Sequence, residues 1–311
     1  MNKIGIIYCP YHKPFSSIQK RWERIKACLD KHGIQYDMVQ SEERQSVERL
    51  VTMMLNNEYD TIIIAGGDTA LSEAVNCFMK VEKHVRDNAA LGVIPNGTMN
   101  DFARVWGFTY EDIENSVLAI KQRRLKTIDI GCIRYRNRKG DSKQRYFINC
   151  VNVGLLASIQ NMREKVRKFL WSRRITYVAT MLLVMLKKKD YKIKYKINGN
   201  NEKQKIMTMC IGNAYGYGLT PNATPYNGLL DVTVIKHTFM SQFLSAFYLF
   251  ARKKIMNYKY IIPYRTEKAE IFTNSKLPIS IDGVATEPPS GGYTVEIIPE
   301  ELNFIAENYK H

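Results

Sequence analysis

The first 125 residues alternate between short apolar runs and longer amphipathic stretches. The apolar runs predict strands at Ile4–Tyr8, Ile34–Val39, Ile62–Ala65 and Leu91–Pro95. Apolar residues recurring every three or four positions predict helices over 16–32 and 43–56. Strands that are apolar throughout and separated by helices are typical of a parallel sheet covered on both faces. The sequence therefore predicts an N-terminal α/β fold with a parallel sheet.

The pattern changes after about Thr127. The following segments are short, β-branched and aromatic, and Arg145–Gly154 is one of them. Turn dipeptides separate them: Asn198-Gly199, Asn227-Gly228, Asp282-Gly283 and Gly291-Gly292. This spacing predicts a mainly antiparallel β-sandwich, interrupted by helical insertions near 160–188 and 238–254. We therefore predict two domains, 1–127 and 128–311, and leave open that the C-terminal tail returns to the first domain.

The charge balance changes the range of expected partners. The 311 residues carry a formal net charge of +16, and such a field favours anionic partners such as nucleotide phosphates or an anionic membrane surface. No zinc finger, RNP-type strand or helix-turn-helix pattern occurs in the sequence, so we do not expect a nucleic-acid partner.

The cysteines and the N-terminus point to one compartment. Six cysteines are scattered without a CxxC pair, which favours reduced thiols over a disulfide or zinc framework. The opening residues MNKIGIIYCP resemble a first strand and not a signal peptide. We therefore expect a cytoplasmic protein.

The third predicted strand ends at Gly66-Gly67-Asp68, and a helical pattern follows. Glycines at a strand end let the backbone approach a phosphate closely, and a helix start supplies free N–H groups. Asp68 does not fit a pure anion site, because its carboxylate would repel phosphate. It could take a proton from an attacking hydroxyl, hold magnesium or merely cap the helix.

A second polar turn, Asn96-Gly97-Thr98, ends the fourth predicted strand. Gly97 permits a sharp turn, Thr98 offers a hydroxyl and Asn100 an amide to a nucleotide. A capped helix start, with Asp101 as the cap, explains the same residues. Because ligands of parallel sheets bind at the carboxyl ends of the strands, we expect the two turns to share one site.

The residues around the second turn resemble a known family. Gly97–Arg104, GTMNDFAR, is similar to the GTxNDFAR motif of the bacterial diacylglycerol kinase and sphingosine kinase superfamily of soluble lipid kinases. Further similar segments follow in the family's order: Tyr146–Ala157, Pro221–Ile235 and Ile279–Glu287. The resemblance spans nearly the whole chain, and several motifs in order are more specific than one.

The resemblance implies an ATP- and Mg²⁺-dependent kinase, with ATP in a cleft between the α/β domain and a β-sandwich lipid domain. Asp68 would be the base that acts on the lipid hydroxyl. The family's nucleotide contacts map onto Gly66, Gly67, Thr69, Glu73, Gly97, Thr98 and Asn100. The resemblance places Asp231 in a magnesium site outside the chemistry and brings Asp282 near the catalytic metal.

The chain departs from the family in several motifs. Thr69-Ala70 replaces Gly-Thr in the GGDGT loop, so either Thr69 already begins the helix or the loop has moved, because a β-branched residue at positive φ would be strained. Val284 replaces the glutamate of the DGE motif, and Asn227 replaces an aspartate. These departures leave open a nucleotide- or lipid-binding relative without turnover.

Two segments combine apolar and aromatic residues with basic ends, at 163–196 and 239–260. The apolar part of the first is too short to span a bilayer, which needs about 20 residues. Buried helices, an oligomer interface such as that of a homodimer, or a peripheral membrane face all fit. We expect a kinase that phosphorylates diacylglycerol or a sphingoid base at a membrane surface. A soluble-substrate kinase of the NAD kinase type is the alternative.

Overall fold

The computed structural model describes residues 3–10, 15–42, 44–97, 99–137, 139–167, 191–215, 219–236, 245, 248–249, 252, 254–273, 277–287 and 289–307. The chain divides into two compact units. The first comprises Met1–Ile130 and Pro299–His311, and the second Gly131–Ile298. The sequence boundary predicted near residue 127 is close to the first crossing, and residues 299–311 belong to the first unit.

A parallel sheet forms the centre of the first unit. Its strands are β1 (Ile4–Tyr8), β2 (Asp37–Gln40), β3 (Thr61–Gly66) and β4 (Ala90–Pro95). They lie in the order β4-β3-β1-β2, all parallel. Every residue of β3 and β4 is buried, as apolar strands covered on both faces require. The predicted α/β fold is confirmed.

Helices follow the strands of the first unit. They are α1 (Phe15–Lys31), α2 (Arg44–Asn56), α3 (Asp68–Phe78), α4 (Lys83–Asn88), α5 (Asp101–Val105) and α6 (Glu114–Lys121). In α3 the positions Leu71, Ala74, Val75 and Phe78 are buried, which is the apolar stripe of a helix packed on a sheet. Sequence patterning predicted α1 and α2 within a residue of their observed ends, whereas α4 and α6 went unpredicted.

The predicted strand over Ile34–Val39 was wrong at its start. Gly33 has φ 66°, and the Ile34 amide donates to the Leu29 carbonyl at 3.2 Å. These contacts end α1 with a left-handed glycine and a following apolar residue that packs back on the helix. Ile34 is therefore buried as part of the helix end, and β2 begins at Asp37.

The strand order of the first unit reverses between β1 and β3. From β1 the chain moves to β2 on one side, and then crosses to β3 and β4 on the other. Connections leaving adjacent strands in opposite directions open a crevice at their carboxyl ends, where α/β proteins bind ligands. Gly66-Gly67-Asp68 leaves β3 at this point.

Antiparallel strands make up the second unit. These are β5 (Leu125–Arg136), β6 (Ser142–Phe147), β7 (Cys150–Gly154), β8 (Tyr191–Ile197), β9 (Asn200–Gly212), β10 (Leu230–Lys236), β11 (Ile261–Thr266), β12 (Lys268–Phe272), β13 (Ile279–Ile281), β14 (Val284–Thr286) and β15 (Tyr293–Ile305). Both β5 and β15 run from one unit into the other, and Phe304 at the end of β15 pairs with Leu91 of β4. The predicted mainly antiparallel second domain is confirmed.

The core of the second unit draws on alternate residues of its strands. Tyr191, Ile193, Tyr195 and Ile197 of β8 are buried, whereas Lys192, Lys194 and Lys196 are exposed. The buried set packs with apolar residues of β7, β9, β10, β12, β13 and β15. This alternation is typical of an antiparallel sheet with one solvated face.

The segment predicted as one strand over Arg145–Gly154 is two strands, β6 and β7. Ile148 and Asn149 lie between them, because their N–H groups donate to the Asp282 carboxylate and not to a neighbouring strand. Helix α7 (Leu155–Arg167) follows β7. The rest of the predicted insertion at 160–188, and most of the one at 238–254, lies outside the described residues.

The six cysteines are free thiols, as expected. Within the part of the chain that the structure describes, no helix is long and apolar enough to cross a bilayer.

Candidate active site

Asp68 is the first residue of α3, and its side chain reaches the start of another helix. Its two carboxylate oxygens accept hydrogen bonds from the backbone N–H groups of Asp101 and Phe102, each at 3.0 Å. These donors are the first amides of α5, which lack partners within that short helix. Asp68 thus caps α5 and not its own helix. It remains partly exposed.

The two glycine turns touch each other through their backbones. A Cβ at Gly97 would lie 2.4 Å from the Cα of Gly67, and one at Gly67 would lie 2.9 Å from the Cα of Gly97. No side chain fits into such a gap without moving main chain. The turns after β3 and β4 therefore form one structure, as their positions at adjacent strand ends led us to expect.

Asn100 shapes the second turn from within. It has φ 53°, and its Oδ1 accepts a hydrogen bond from the Gly97 N–H at 2.8 Å. Asparagine is one of the few residues that adopt this left-handed conformation readily. Asn100 is buried, so its side chain serves the turn. Thr98 lies outside the described residues.

Thr69, which replaces the glycine of the family's GGDGT loop, lies within helix α3. Helix α3 begins at Asp68, after Gly67 with φ −110°, so Thr69 has helical geometry and no positive φ. A β-branched residue is unstrained there. Glu73 lies in the same helix and is partly exposed. Of the two alternatives, the structure shows the earlier helix start.

Asp101 is a buried acid beside Asp68. Its side chain is only 3% exposed, and within the described residues its Oδ2 atom has no hydrogen-bond partner. Burial, together with the negative charge of Asp68, raises the pKa of Asp101 to about 7, although Arg104 opposes the shift. The predicted role as a helix cap is filled by Asp68 instead, and Asp101 contributes its backbone N–H.

Arg21 is a cation that sequence reasoning did not single out. It extends from α1 to Asn96, and its Nη1 donates to the Asn96 Oδ1 at 3.0 Å. Its guanidinium also lies 4.3 Å from the centre of the Tyr110 ring. Asn96 immediately precedes Gly97, so Arg21 brings positive charge to the second turn. The amphipathic pattern of α1 does not distinguish Arg21 from its exposed neighbours.

Asp282 lies at a tight turn of the second unit. Asp282 and Gly283 have φ 46° and 77° and join β13 to β14, which is the geometry of a two-residue hairpin turn. The carboxylate accepts hydrogen bonds from the backbone N–H groups of Ile148 at 3.0 Å, Asn149 at 2.9 Å and Cys150 at 3.1 Å. Asp282 is 1% exposed and thus holds the break between β6 and β7 in place.

Asp231 forms an ion pair in the second unit. Its Oδ1 accepts a hydrogen bond from the Arg265 Nε at 2.8 Å, and the same guanidinium donates to the Asn222 carbonyl at 3.3 Å. Among the residues that the structure describes, no group of three or more His, Cys, Asp or Glu side chains could hold a metal ion. The donor set around Asp231 therefore fits an arginine better than magnesium. The magnesium roles of Asp231 and Asp282 stay predictions.

Comparisons with known families agree with the resemblance seen in the sequence. Residues 13–133 match the diacylglycerol kinase catalytic domain. Residues 149–306, more than half of the chain, match the YegS C-terminal NAD kinase beta sandwich-like domain.

Curated relatives with matching sequences carry kinase names. The chain is 26% identical over 231 residues to a diacylglycerol kinase of Bacillus subtilis, covering 73% of this chain and 71% of the relative. It is also 26% identical over 281 residues to a protein of Shewanella frigidimarina named "Probable lipid kinase YegS-like", covering 89% and 86%.

Two solved structures share the fold. A diacylglycerol kinase from Bacillus anthracis aligns with a TM-score of 0.68 at 16% identity, covering 99% of this chain and 97% of the other. Yeast NADH kinase aligns with a TM-score of 0.57 at 9% identity, covering 99% and 84%. At these identities the likeness concerns the fold alone.

Proposed function

Since the chain belongs to the lipid kinase family that joins a diacylglycerol kinase catalytic domain to a YegS-type C-terminal domain, we propose that it transfers the γ-phosphate of ATP to the primary hydroxyl of diacylglycerol. The products are phosphatidic acid and ADP. Mg²⁺ would be supplied as Mg·ATP and would neutralise charge on the phosphate oxygens, as in phosphoryl transfer generally.

The observation that carries the proposal is the position of Asp68. Asp68 follows β3 at the point where the strand order reverses. Its carboxylate is oriented by two backbone N–H groups and stays partly exposed. A base must be fixed in direction and still reach its substrate. Asp68 accepts the hydroxyl proton as the lipid oxygen attacks the γ-phosphorus, and the bond to the β-phosphate oxygen breaks.

The phosphate side of the proposed site consists of backbone and one arginine. Gly67 and Gly97 pack backbone against backbone, and the start of α3 beside them can offer backbone N–H groups to a phosphate. Arg21 supplies a guanidinium beside the second turn, and arginine pairs with phosphate oxygens in a bidentate manner. Thr69 lies on the first turn of α3 and Glu73 on the second, where they can contact the nucleotide.

A substrate panel tests this proposal. Wild-type protein is incubated with Mg²⁺ and ATP labelled at the γ-phosphate. Separate reactions contain diacylglycerol or sphingosine in uncharged detergent micelles, or NAD in solution. We expect labelled phosphatidic acid as the main product. Label in sphingosine phosphate would change the lipid assignment, and label in NADP alone would overturn the lipid kinase assignment.

A relative that binds nucleotide without turnover is the second candidate. The replacement of the DGE glutamate by Val284 and the burial of Asp282 among three backbone donors favour it. In the same panel this candidate predicts binding of a fluorescent ATP analogue that ATP displaces, with no labelled product from any substrate.

A further inference from the structure

Strands β8 and β9 carry lysines on the solvated side of the second unit. We call Lys192, Lys194, Lys196, Lys203 and Lys205 the lysine face. All five are exposed, and the residues that alternate with the β8 lysines are buried in the core. The five side chains therefore lie together on the solvated face of the sheet.

The pairing register puts like charges directly opposite each other. Lys192 is the partner of Lys205, and Lys194 is the partner of Lys203. Directly opposed side chains lie about 5 Å apart at Cβ, and like charges there destabilise a sheet. Within the described residues, none of these four lysines forms an ion pair. Folding stability thus gains nothing from this arrangement, and a partner that neutralises the charge would explain it.

The border of the lysine face contains an exposed aromatic ring. Phe272 of β12 is the register partner of Lys194, and it is 47% exposed. On the same strand Glu270 is the register partner of Lys196 and forms an ion pair of 3.0 Å with Lys268, so the cations of this surface still outnumber this acid. Cations beside an exposed aromatic residue match the chemistry of a surface that has charged headgroups above an apolar layer.

We propose that the lysine face with Phe272 docks the protein on an anionic phospholipid bilayer. This inference deepens the proposed function, because a kinase that phosphorylates a membrane lipid has to reach the bilayer. Lysine is a strongly hydrated point charge that suits diffuse attraction to a charged surface, whereas arginine suits bidentate recognition of single phosphates. A single aromatic residue is also less than the series of stacking rings that single-stranded nucleic acids use.

The docking proposal can be tested with variants of the lysine pairs that face each other across β8 and β9. Lys203→Glu combined with Lys205→Glu places a carboxylate opposite Lys194 and Lys192, which should leave thermal stability unchanged or improved. Lys26→Glu combined with Lys121→Glu is the matched control, since both lysines are exposed, belong to the first unit, and change the net charge equally. The wild type and both variants are sedimented with vesicles of phosphatidylcholine alone or mixed with phosphatidylglycerol, at low and high salt.

We expect wild-type protein to bind only the phosphatidylglycerol vesicles, and less at high salt. The lysine-face variant should bind at least about 25-fold more weakly, because each lysine near an anionic surface contributes about fivefold. The control should change by less than about threefold. Equal losses in both variants would mean that only net charge matters and would overturn the proposal.

Two further measurements distinguish bilayer docking from nucleic-acid binding and from the kinase reaction itself. If wild-type protein ignores the vesicles but binds a single-stranded oligonucleotide through the lysine face, the partner is a nucleic acid and the proposal is wrong. The kinase reaction of wild-type protein in uncharged micelles reports on the proposed function independently, because such micelles offer no charge to the lysine face.

Discussion

Asp68 and Asp282 are both carboxylates that hold backbone N–H groups, but they do so in different surroundings. Asp68 caps α5 with two bonds and stays partly exposed in the first unit. Asp282 accepts three bonds and is 1% exposed in the second unit. Both carboxylates have a fixed orientation, but they differ in how far solvent and ligands can reach them. The comparison indicates that Asp68 can meet a substrate and that Asp282 primarily holds the fold.

The largest expected effect on stability is at the buried member of the pair. Asp282→Asn should lower the free energy of unfolding by about 3 kcal/mol, because an amide group replaces an acceptor that faces several buried donors. The turn itself should survive, since Asn198 has φ 51° in the equivalent turn between β8 and β9. Denaturant unfolding measures the effect, with Asn198→Asp as the control. Wild-type stability of the Asp282→Asn variant would contradict the proposed structural role of Asp282.

The glycine contact beside Asp68 should be the next most sensitive. Gly97→Ala brings a Cβ to 2.4 Å from the Cα of Gly67 and should cost about 2 kcal/mol, because main chain has to move. Gly66→Ala should cost less, since its closest contact is a side-chain atom at 3.0 Å. Thermal unfolding of the two variants checks this order. The reverse order would mean that the turns do not pack as described.

Asp101 is a buried acid beside Asp68, and its effect on the free energy of unfolding should depend on pH. Its pKa is raised from 3.8 to about 7, so the folded protein retains a proton that the unfolded chain releases. The resulting cost is absent below about pH 4, grows as pH rises towards 7 and is complete above it. Asp101→Asn should therefore be more stable than wild type at pH 8 by at least about 1 kcal/mol.

The same substitution should change little at pH 4. Asp30 is exposed, so Asp30→Asn is a control without such dependence. A stability difference for Asp101→Asn that stays constant between pH 4 and pH 8 would contradict the buried, protonated state of Asp101.

The smallest effect concerns the other aspartate of the second unit. Arg265 is 55% exposed, and water screens its ion pair with Asp231, so Arg265→Gln should cost less than about 1 kcal/mol. Adding Mg²⁺ or a chelator should leave the melting temperature of the protein without nucleotide unchanged. A rise with Mg²⁺ that Asp231→Asn abolishes would instead support the predicted metal site at Asp231.

Sequence patterning predicted those parts of the molecule whose conformation depends on residues close in sequence. The apolar strands β1, β3 and β4, the turns at Asn198 and Asp282, and the meeting of two glycine turns follow from local composition and from parallel topology. The pairing of Asp68 with amides 33 and 34 positions away could not be predicted, because a hydrogen bond at that separation depends on how the helices pack.

The errors have the same origin. The strand predicted through Arg145–Gly154 is interrupted by a carboxylate more than 130 residues further along, although its local pattern is continuous. The ion pair between Asp231 and Arg265 of the neighbouring strand β11 was likewise not predicted, because nothing around Asp231 in the sequence indicates it. Family resemblance predicted the candidate site residues, and tertiary contacts determine which partners those residues have.

The most direct test of Asp68 as the base is phosphate transfer to diacylglycerol by wild type, Asp68→Asn and Asp282→Asn. Each is assayed with Mg·ATP at a temperature where circular dichroism shows it folded. We predict that Asp68→Asn loses about 100- to 10,000-fold in turnover, as expected for a missing base, while it still binds ATP. Folded Asp282→Asn should retain far more activity. A wild-type rate in Asp68→Asn would contradict the assignment of Asp68 as the base, whereas an equal loss in folded Asp282→Asn would give Asp282 a part in the reaction as well.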